Sequence, residues 1–218
     1  MACQTINVKE EIFSFHNIIP AEFQQEIVNC LTGENNFPWY LIDRIGHKDY
    51  FNNTDSQVYL DKNISDYGGL YHMLYDEGVS RSEYCDFFMQ ILDSYCQIMN
   101  KSISKVHRAR IRYTHPVPHH NFIKYAAPHI DFNSDVDFTT LIYYVDISDG
   151  DTILFDKKHI PGQEYNPILQ EPLTQVYTHT PNRGEAIAFS GHRYHSGNYP
   201  IEHGRRIVIN FDFIENDA

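Results

Sequence analysis

Within the run Pro128-His129-Ile130-Asp131-Phe132, an imidazole and a carboxylate stand two residues apart. On an extended segment both side chains point the same way and can meet one cation. A second imidazole, His195, follows 64 residues after Asp131 in FSGHRYHSG, at the end of another predicted strand. Two imidazoles and one carboxylate form a facial triad that leaves three positions open on an octahedral iron(II). Zinc accepts the same donors, so the ligand types do not choose the metal. With 13 histidines in the chain, such a pair also arises by chance and needs support from elsewhere. Arg206 supplies it. Eleven residues after His195 it opens the final predicted strand, where its planar fork can take the distal carboxylate of a 2-oxo acid bidentately. Arg206 shares a strand face with Asn210, whereas Arg205 shares one with bulky Ile and Phe residues, so Arg206 is the better candidate.

These residues must be held by the elements around them. Ala21 to Leu31 follows Pro20 and carries Phe23, Ile27 and Leu31 at helical spacing; Ser82 to Met99 places Phe88, Ile91, Leu92, Tyr95 and Met99 on one stripe. Both read as amphipathic helices. Asn35 to Tyr75 shows little periodicity and reads as loops with short strands. From about Lys105 the texture changes to β-branched and aromatic runs: VHRARIRY, FTTLIYYVDI, DTILFD, GEAIAFS and RRIVINFDF. An Asp-Gly pair at Asp149-Gly150 marks a tight turn between the second and third. Helices followed by strands predict an α+β fold with helices on one sheet face. In the last strand Ile207, Ile209, Phe211 and Phe213 suit that face; Arg206, Val208, Asn210 and Asp212 suit a site.

The 218 residues, 42% of them hydrophobic, suffice for one domain: residues 1–104 as a helical and loop support layer and 105–215 as the β core. A net charge of -12 disfavours nucleic acid as a partner. The start lacks a basic segment followed by an apolar run, and no apolar stretch approaches the roughly 20 residues of a membrane span. The expected location is cytoplasmic. Cys85 and Cys96, eleven apart on one helix, lie about 16 Å apart along its axis, too far for a disulfide. Cys3 and Cys30 have no motif spacing, so all four thiols are expected to be reduced.

At this point the sequence resembles the iron(II) and 2-oxoglutarate-dependent dioxygenases, in particular their prolyl-hydroxylase-like branch. The matching parts run in order: His129 and Asp131, then LIYYVD, DGDTILFD, AIAFSGHRYH and RRIVINFDF, covering roughly Arg108 to Phe213. The resemblance implies a double-stranded β-helix, the jelly-roll or cupin-like core, with the helices packed on its major sheet. It implies that His129, Asp131 and His195 hold the catalytic iron and that Arg206, with Tyr144, holds 2-oxoglutarate; Asn210 joins that cofactor set from its place beside Arg206. It implies dioxygen as co-reactant, ascorbate as a candidate reductant, and hydroxylation of a C–H bond in a peptidyl side chain or small metabolite, with release of succinate and CO2. Related halogenases lack the carboxylate that Asp131 provides. THPVPHHNFIKYAAP has no family counterpart, which leaves the substrate open.

Other features carry weaker signals. Arg108, Arg110 and Arg112 share a strand face and read either as a cationic wall for an anionic substrate or as a solvated edge; Arg110, in the middle, is the candidate substrate contact. Ala186, Ala188 and Ser190 alternate on one face, leaving room for a cosubstrate or simply packing tightly. His115, His119 and His120 lie around two prolines as ordinary loop residues, a lid or a second metal site. Nothing requires a ligand role of His192. Trp39 can stack on a substrate or cover the open end of the β structure. Two other functions compete: a cupin-like metal- or ligand-binding module, which has no use for Tyr144 and Arg206 together, and a zinc hydrolase, for which no nucleophile or base is arranged.

Overall fold

The alternation along Arg206 to Phe213 demands a strand with one apolar and one polar face. The computed structural model describes residues 4–9, 11–34, 36–42, 64–65, 68–116, 125–163 and 173–217, and this segment is its last strand, β14 (Arg206–Asp217). β14 sits between β7 (Lys101–Thr114) and β9 (Thr139–Tyr144), antiparallel to both. Beyond β9 come β12 (Ala186–Ser190), β2 (Ile12–His16) and β1 (Gln4–Lys9); beyond β7 come β5 (Gly69–Asp76) and β3 (Tyr40–Ile42), with β6 (Val79–Ser80) also paired to β5. A second antiparallel sheet contains β11 (Gln175–His179), β10 (Thr152–Lys158) and β13 (Arg193–Gly197). A short parallel pair joins β4 (Ile64–Ser65) to β8 (Tyr125–Ala126). Two antiparallel sheets with few helices fit a jelly-roll core.

Two apolar layers follow from the alternation. On one side, Ile207, Ile209, Phe211, Phe213, Leu141 and Tyr143 share a buried cluster with residues of the helices α1 (Ala21–Thr32) and α2 (Cys85–Met99), including Ile27, Leu31, Phe88, Ile91 and Tyr95. Tyr95 sets its ring edge against Phe15 and Phe213, and its hydroxyl donates to Glu215 Oε2 at 2.8 Å. On the other side, Val208, Ile142, Tyr144, Ile187 and Phe189 meet Leu154 of the second sheet. Each fully buried Phe or Leu in such a layer contributes about 1.5–3 kcal/mol. Neighbouring residues of one strand thus serve different layers: Tyr143 faces the helices and Tyr144 the space between the sheets.

The structure departs from several expectations. The first hundred residues supply more than the short strands expected within Asn35 to Tyr75, because β2 pairs with β12 on one flank of the large sheet and β5 with β7 on the other. His195 lies within β13, in the second sheet, and not at the end of β12; a turn at Gly191-His192 separates the two strands, and any Cβ at Gly191 would collide with the Phe138 ring. Ala186 and Ala188 belong to the helix-side cluster and do not line the cavity that reaches Arg206. The strand of Arg108, Arg110 and Arg112 is no edge, since β14 and β5 flank it. Trp39 packs on Phe37 and Tyr113 beside the helix-side cluster. Cys30, Cys85 and Cys96 are free thiols, while Cys3, His119 and His120 lie outside the described residues. Among the described residues no helix is long and apolar enough to cross a membrane.

Candidate metal and dicarboxylate site

His129 and His195 are locked together by their own backbones. They form an isolated antiparallel bridge in which each amide donates to the other's carbonyl at 2.9 Å. This bridge lays the His-x-Asp segment alongside β13, and the two imidazole centroids are 4.7 Å apart. His129 Nδ1 lies 2.9 Å from the Ala127 carbonyl and His195 Nδ1 3.2 Å from that of Arg193. A carbonyl only accepts, so each Nδ1 carries the hydrogen and each Nε2 keeps its lone pair. Those lone pairs face the Asp131 carboxylate, His129 Nε2 at 3.5 Å from Oδ1 and His195 Nε2 at 3.5 Å from Oδ2. The three ligand atoms lie within 4.8 Å of one another. Three acceptors converging with no hydrogen between them is an arrangement that a cation completes, and the donor set suits iron(II) or zinc.

The carboxylate is gripped by the two central strands. Arg110 donates to Asp131 Oδ1, and Asn210 Nδ2 donates to Oδ2 at 3.0 Å; Arg110 and Asn210 are direct cross-strand partners. One step along the ladder, Arg108 donates to the Asp131 carbonyl and lies 3.3 Å from Asp212, which accepts from Thr140 Oγ1 at 2.7 Å. Burial opposes ionisation of Asp131, but the Arg110 guanidinium outweighs it and holds the carboxyl well below its usual range. Burial, and then the adjacent negative Asp131, push Asp212 the other way. Burial also lowers His129, favouring the neutral form that a ligand needs.

A cavity runs from these groups to Arg206, with Arg110, Arg112, Thr152, Gly197 and Asn210 among its lining. The Arg206 Nε donates to the Gly150 carbonyl at 2.7 Å and an Nη donates to Thr152 Oγ1 at 2.7 Å. The Tyr144 hydroxyl lies 2.9 Å from the same Oγ1. Gly197 makes the cradle: a Cβ there would stand 3.2 Å from the guanidinium. At Gly150 a Cβ would come within 2.8 Å of the Arg206 side chain. A buried, oriented guanidinium in the same cavity as the two metal-ligand imidazoles suits a dicarboxylate spanning the two. Arg205 turns away to Asp146 at 2.6 Å.

The structure therefore brings together His129, Asp131, His195, Arg206, Tyr144 and Asn210. Arg110 lies in the same cavity, against Asp131 rather than on an exposed wall. Sequence reasoning passed over Thr152, Gly197 and the Arg108–Asp212 pair. Thr152 carried a signal in its place just after the Asp149-Gly150 turn, whereas Gly197 had none, since its closeness to Arg206 is purely tertiary. His115 is exposed beside Tyr113, and His192 is buried with Nε2 on the Val136 carbonyl at 3.1 Å; neither joins the cluster.

No family model matches the sequence, and no curated protein matches it. Solved structures share its fold. A 2OG-Fe(II) oxygenase family oxidoreductase from Burkholderia pseudomallei matches at TM-score 0.56 and 10% identity, covering 94% of this chain and 85% of that one. The epimerase SnoN, in complex with Fe3+, α-ketoglutarate and nogalamycin RO, matches at TM-score 0.55 and 10% identity over 94% of this chain and 78% of that one. A prolyl hydroxylase from Trichoplax adhaerens, in complex with a peptide fragment of a hypoxia inducible factor, matches at TM-score 0.52 and 11% identity, covering 94% and 83%. The chain has the fold of the 2-oxoglutarate/iron oxygenases, prolyl hydroxylases among them.

Proposed function

We propose that this protein is an iron(II)- and 2-oxoglutarate-dependent oxygenase that hydroxylates a C–H bond of a peptidyl side chain or a small metabolite. The observation that carries the reading is the convergence of His129 Nε2, His195 Nε2 and an Asp131 oxygen at one end of a cavity whose other end is the Arg206 guanidinium. His129, Asp131 and His195 would hold iron(II), and Arg206 with Tyr144 and Thr152 would hold the distal carboxylate of 2-oxoglutarate. When bound, these groups supply the oxidising chemistry: substrate R–H, O2 and 2-oxoglutarate become R–OH, succinate and CO2. The chain's own contribution is positional. The histidine bridge fixes two ligands, Arg110 and Asn210 orient the carboxylate, and the layer of Ile142, Val208 and Leu154 excludes water from the cavity floor.

A peptide or a small molecule fits as substrate by analogy of fold alone, as the bound partners of the Trichoplax enzyme and of SnoN illustrate. A cytoplasmic location belongs to the same reading. The test is anaerobic titration of the iron(II)-loaded protein with 2-oxoglutarate, watching the weak visible charge-transfer band of chelation. Wild type is expected to show it, Asp131→Ala to lose it with the metal, and Arg206→Ala to need at least about tenfold more 2-oxoglutarate, the equivalent of one lost charged contact. Metal binding without any band would overturn the oxygenase reading in favour of a metal-binding module.

A further inference from the structure

The Tyr144 ring rests on a buried imidazole. His179 of β11 lies flat against it, with ring centroids 4.6 Å apart and planes at 18° to each other, and is also the cross-strand partner of Thr152. His179 thus adjoins both hydroxyl residues beside Arg206. Its Nε2 lies 3.1 Å from Glu185 Oε2, off the line of a good hydrogen bond. Glu185 Oε1 in turn lies 2.7 Å from Nδ1 of His16, whose side chain is 40% exposed. The Glu185 carbonyl accepts from the Tyr144 amide at 2.9 Å, so the carboxylate is anchored to the same tyrosine that His179 supports. Nδ1 of His179 lies 3.2 Å from the Tyr177 hydroxyl. A hydroxyl donates to a neutral imidazole and accepts from a protonated one, so that contact serves either state of the ring.

The titratable groups around His179 are Glu185 ahead of β12, His16 of β2, Asp151 ahead of β10, Tyr177 of β11 and Tyr144 of β9, with Arg206 of β14 beyond the tyrosine. Burial outweighs the Glu185 carboxylate and lowers the imidazole's pKa, so the ring is neutral at neutral pH. A dianion seated on Arg206 alters this balance. It cancels the guanidinium and sets negative charge across the Tyr144 ring from His179, in a buried space where charge is weakly screened. We propose that His179 is a positioning residue for the dicarboxylate, bracing the Tyr144 ring by stacking and taking up a proton against Glu185 as the dianion arrives. This rests on the oxygenase reading above and goes beyond it, because metal chelation and the Arg206 contact require neither an imidazole at this position nor a proton. Linkage is reciprocal: the dianion raises the His179 pKa, and protonation tightens the dianion by the same factor. The affinity gained rises as pH falls through the pKa of the complex and levels off below that of the dianion-free protein.

The experiment is anaerobic calorimetric titration of the iron(II)-loaded protein with 2-oxoglutarate from pH about 8 to about 5.5, in buffers of different ionisation heat, which reads affinity and proton uptake together. Titration of the metal ligands is common to wild type and variants, so the difference between them isolates residue 179. His179→Phe keeps a flat ring against Tyr144 and removes the proton; at the alkaline end its affinity should stay within about threefold of wild type. Toward the acid end wild type should gain about tenfold over His179→Phe, with net proton uptake that the variant lacks. His179→Ala removes the ring as well and should bind about fivefold more weakly than His179→Phe at every pH. A purely structural role predicts weaker binding in both variants with the pH course and proton uptake of wild type, and that result overturns the proposal. So does a wild type that takes up no proton at any pH, a result that needs no variant to fold. If 2-oxoglutarate gives neither binding heat nor a charge-transfer band at any pH, the oxygenase reading fails and takes this inference with it; a band without proton uptake fails this inference alone.

Discussion

The two faces of β14 differ in what holds them. Toward the helices, Ile207, Ile209, Phe211 and Phe213 are buried in an apolar cluster that runs through α1, α2 and the strands β7 and β9. Toward the second sheet, Arg206, Asn210 and Asp212 are just as buried but are held by directed bonds to Thr152, Asp131 and Thr140. Burial of apolar surface is non-directional and tolerates small shifts, so it supplies stability. Buried charges are stable only while every partner is in place, so the same depth of burial on the other face fixes geometry instead.

The sharpest way to break this contrast is to truncate one residue on each side. Phe211→Ala should cost about 3–5 kcal/mol of stability as a core cavity opens, read from the urea midpoint, while the folded fraction binds metal with unchanged affinity. Tyr144→Phe, on the cavity side, should lose about 1 kcal/mol, and its affinity for 2-oxoglutarate should fall about tenfold, measured by the charge-transfer titration. Equal loss of cosubstrate affinity in both variants would erase the distinction between the faces.

His107 sharpens it through pH. The residue is buried, stacks on Phe132 at 4.4 Å beside Asp131, and has neither ring nitrogen hydrogen-bonded. Burial, and then the nearby Lys105, lower its pKa below 6.5. Its neutral form is therefore favoured by folding. The associated stability is fully present above pH about 6.5 and is lost as pH falls through the lowered value in the folded state. His107→Phe should flatten this part of the acid limb in chemical denaturation at stepped pH; an unchanged limb would refute the assignment. The smallest effect is expected at Tyr143, next to Tyr144 but on the helix side, whose hydroxyl is buried without a partner. Tyr143→Phe removes an unsatisfied group and should be neutral or stabilising by up to about 1 kcal/mol in thermal melts, with no change in 2-oxoglutarate binding.

Much of this was legible in the sequence because strand alternation is a local property. The period of two assigned Arg206 and Asn210 to one face of β14, and Arg205 and Ile207 to the other, before any partner strand was known. Tyr144 was picked out by the family resemblance, while two-residue spacing brought His129 and Asp131 to one side. Where the sequence left two readings open, alternation was right but did not choose between them. Ala186 and Ala188 do share a face, yet it is the helix face, since a strand pattern does not say which of its sides meets the site.

By itself, then, the sequence determined the donor types, the two-residue spacing of His129 and Asp131 and the shared face of Arg206 and Asn210, since these depend on residues close together in the chain. Only the tertiary structure decided that His195 belongs to β13 in the second sheet, that Gly197 clears space for Arg206, and that Arg110 lies against Asp131. Those relations join residues 9 apart (Gly197 and Arg206), 21 apart (Arg110 and Asp131) and 66 apart (His129 and His195). They depend on which strands pair and in what register, which no local pattern encodes.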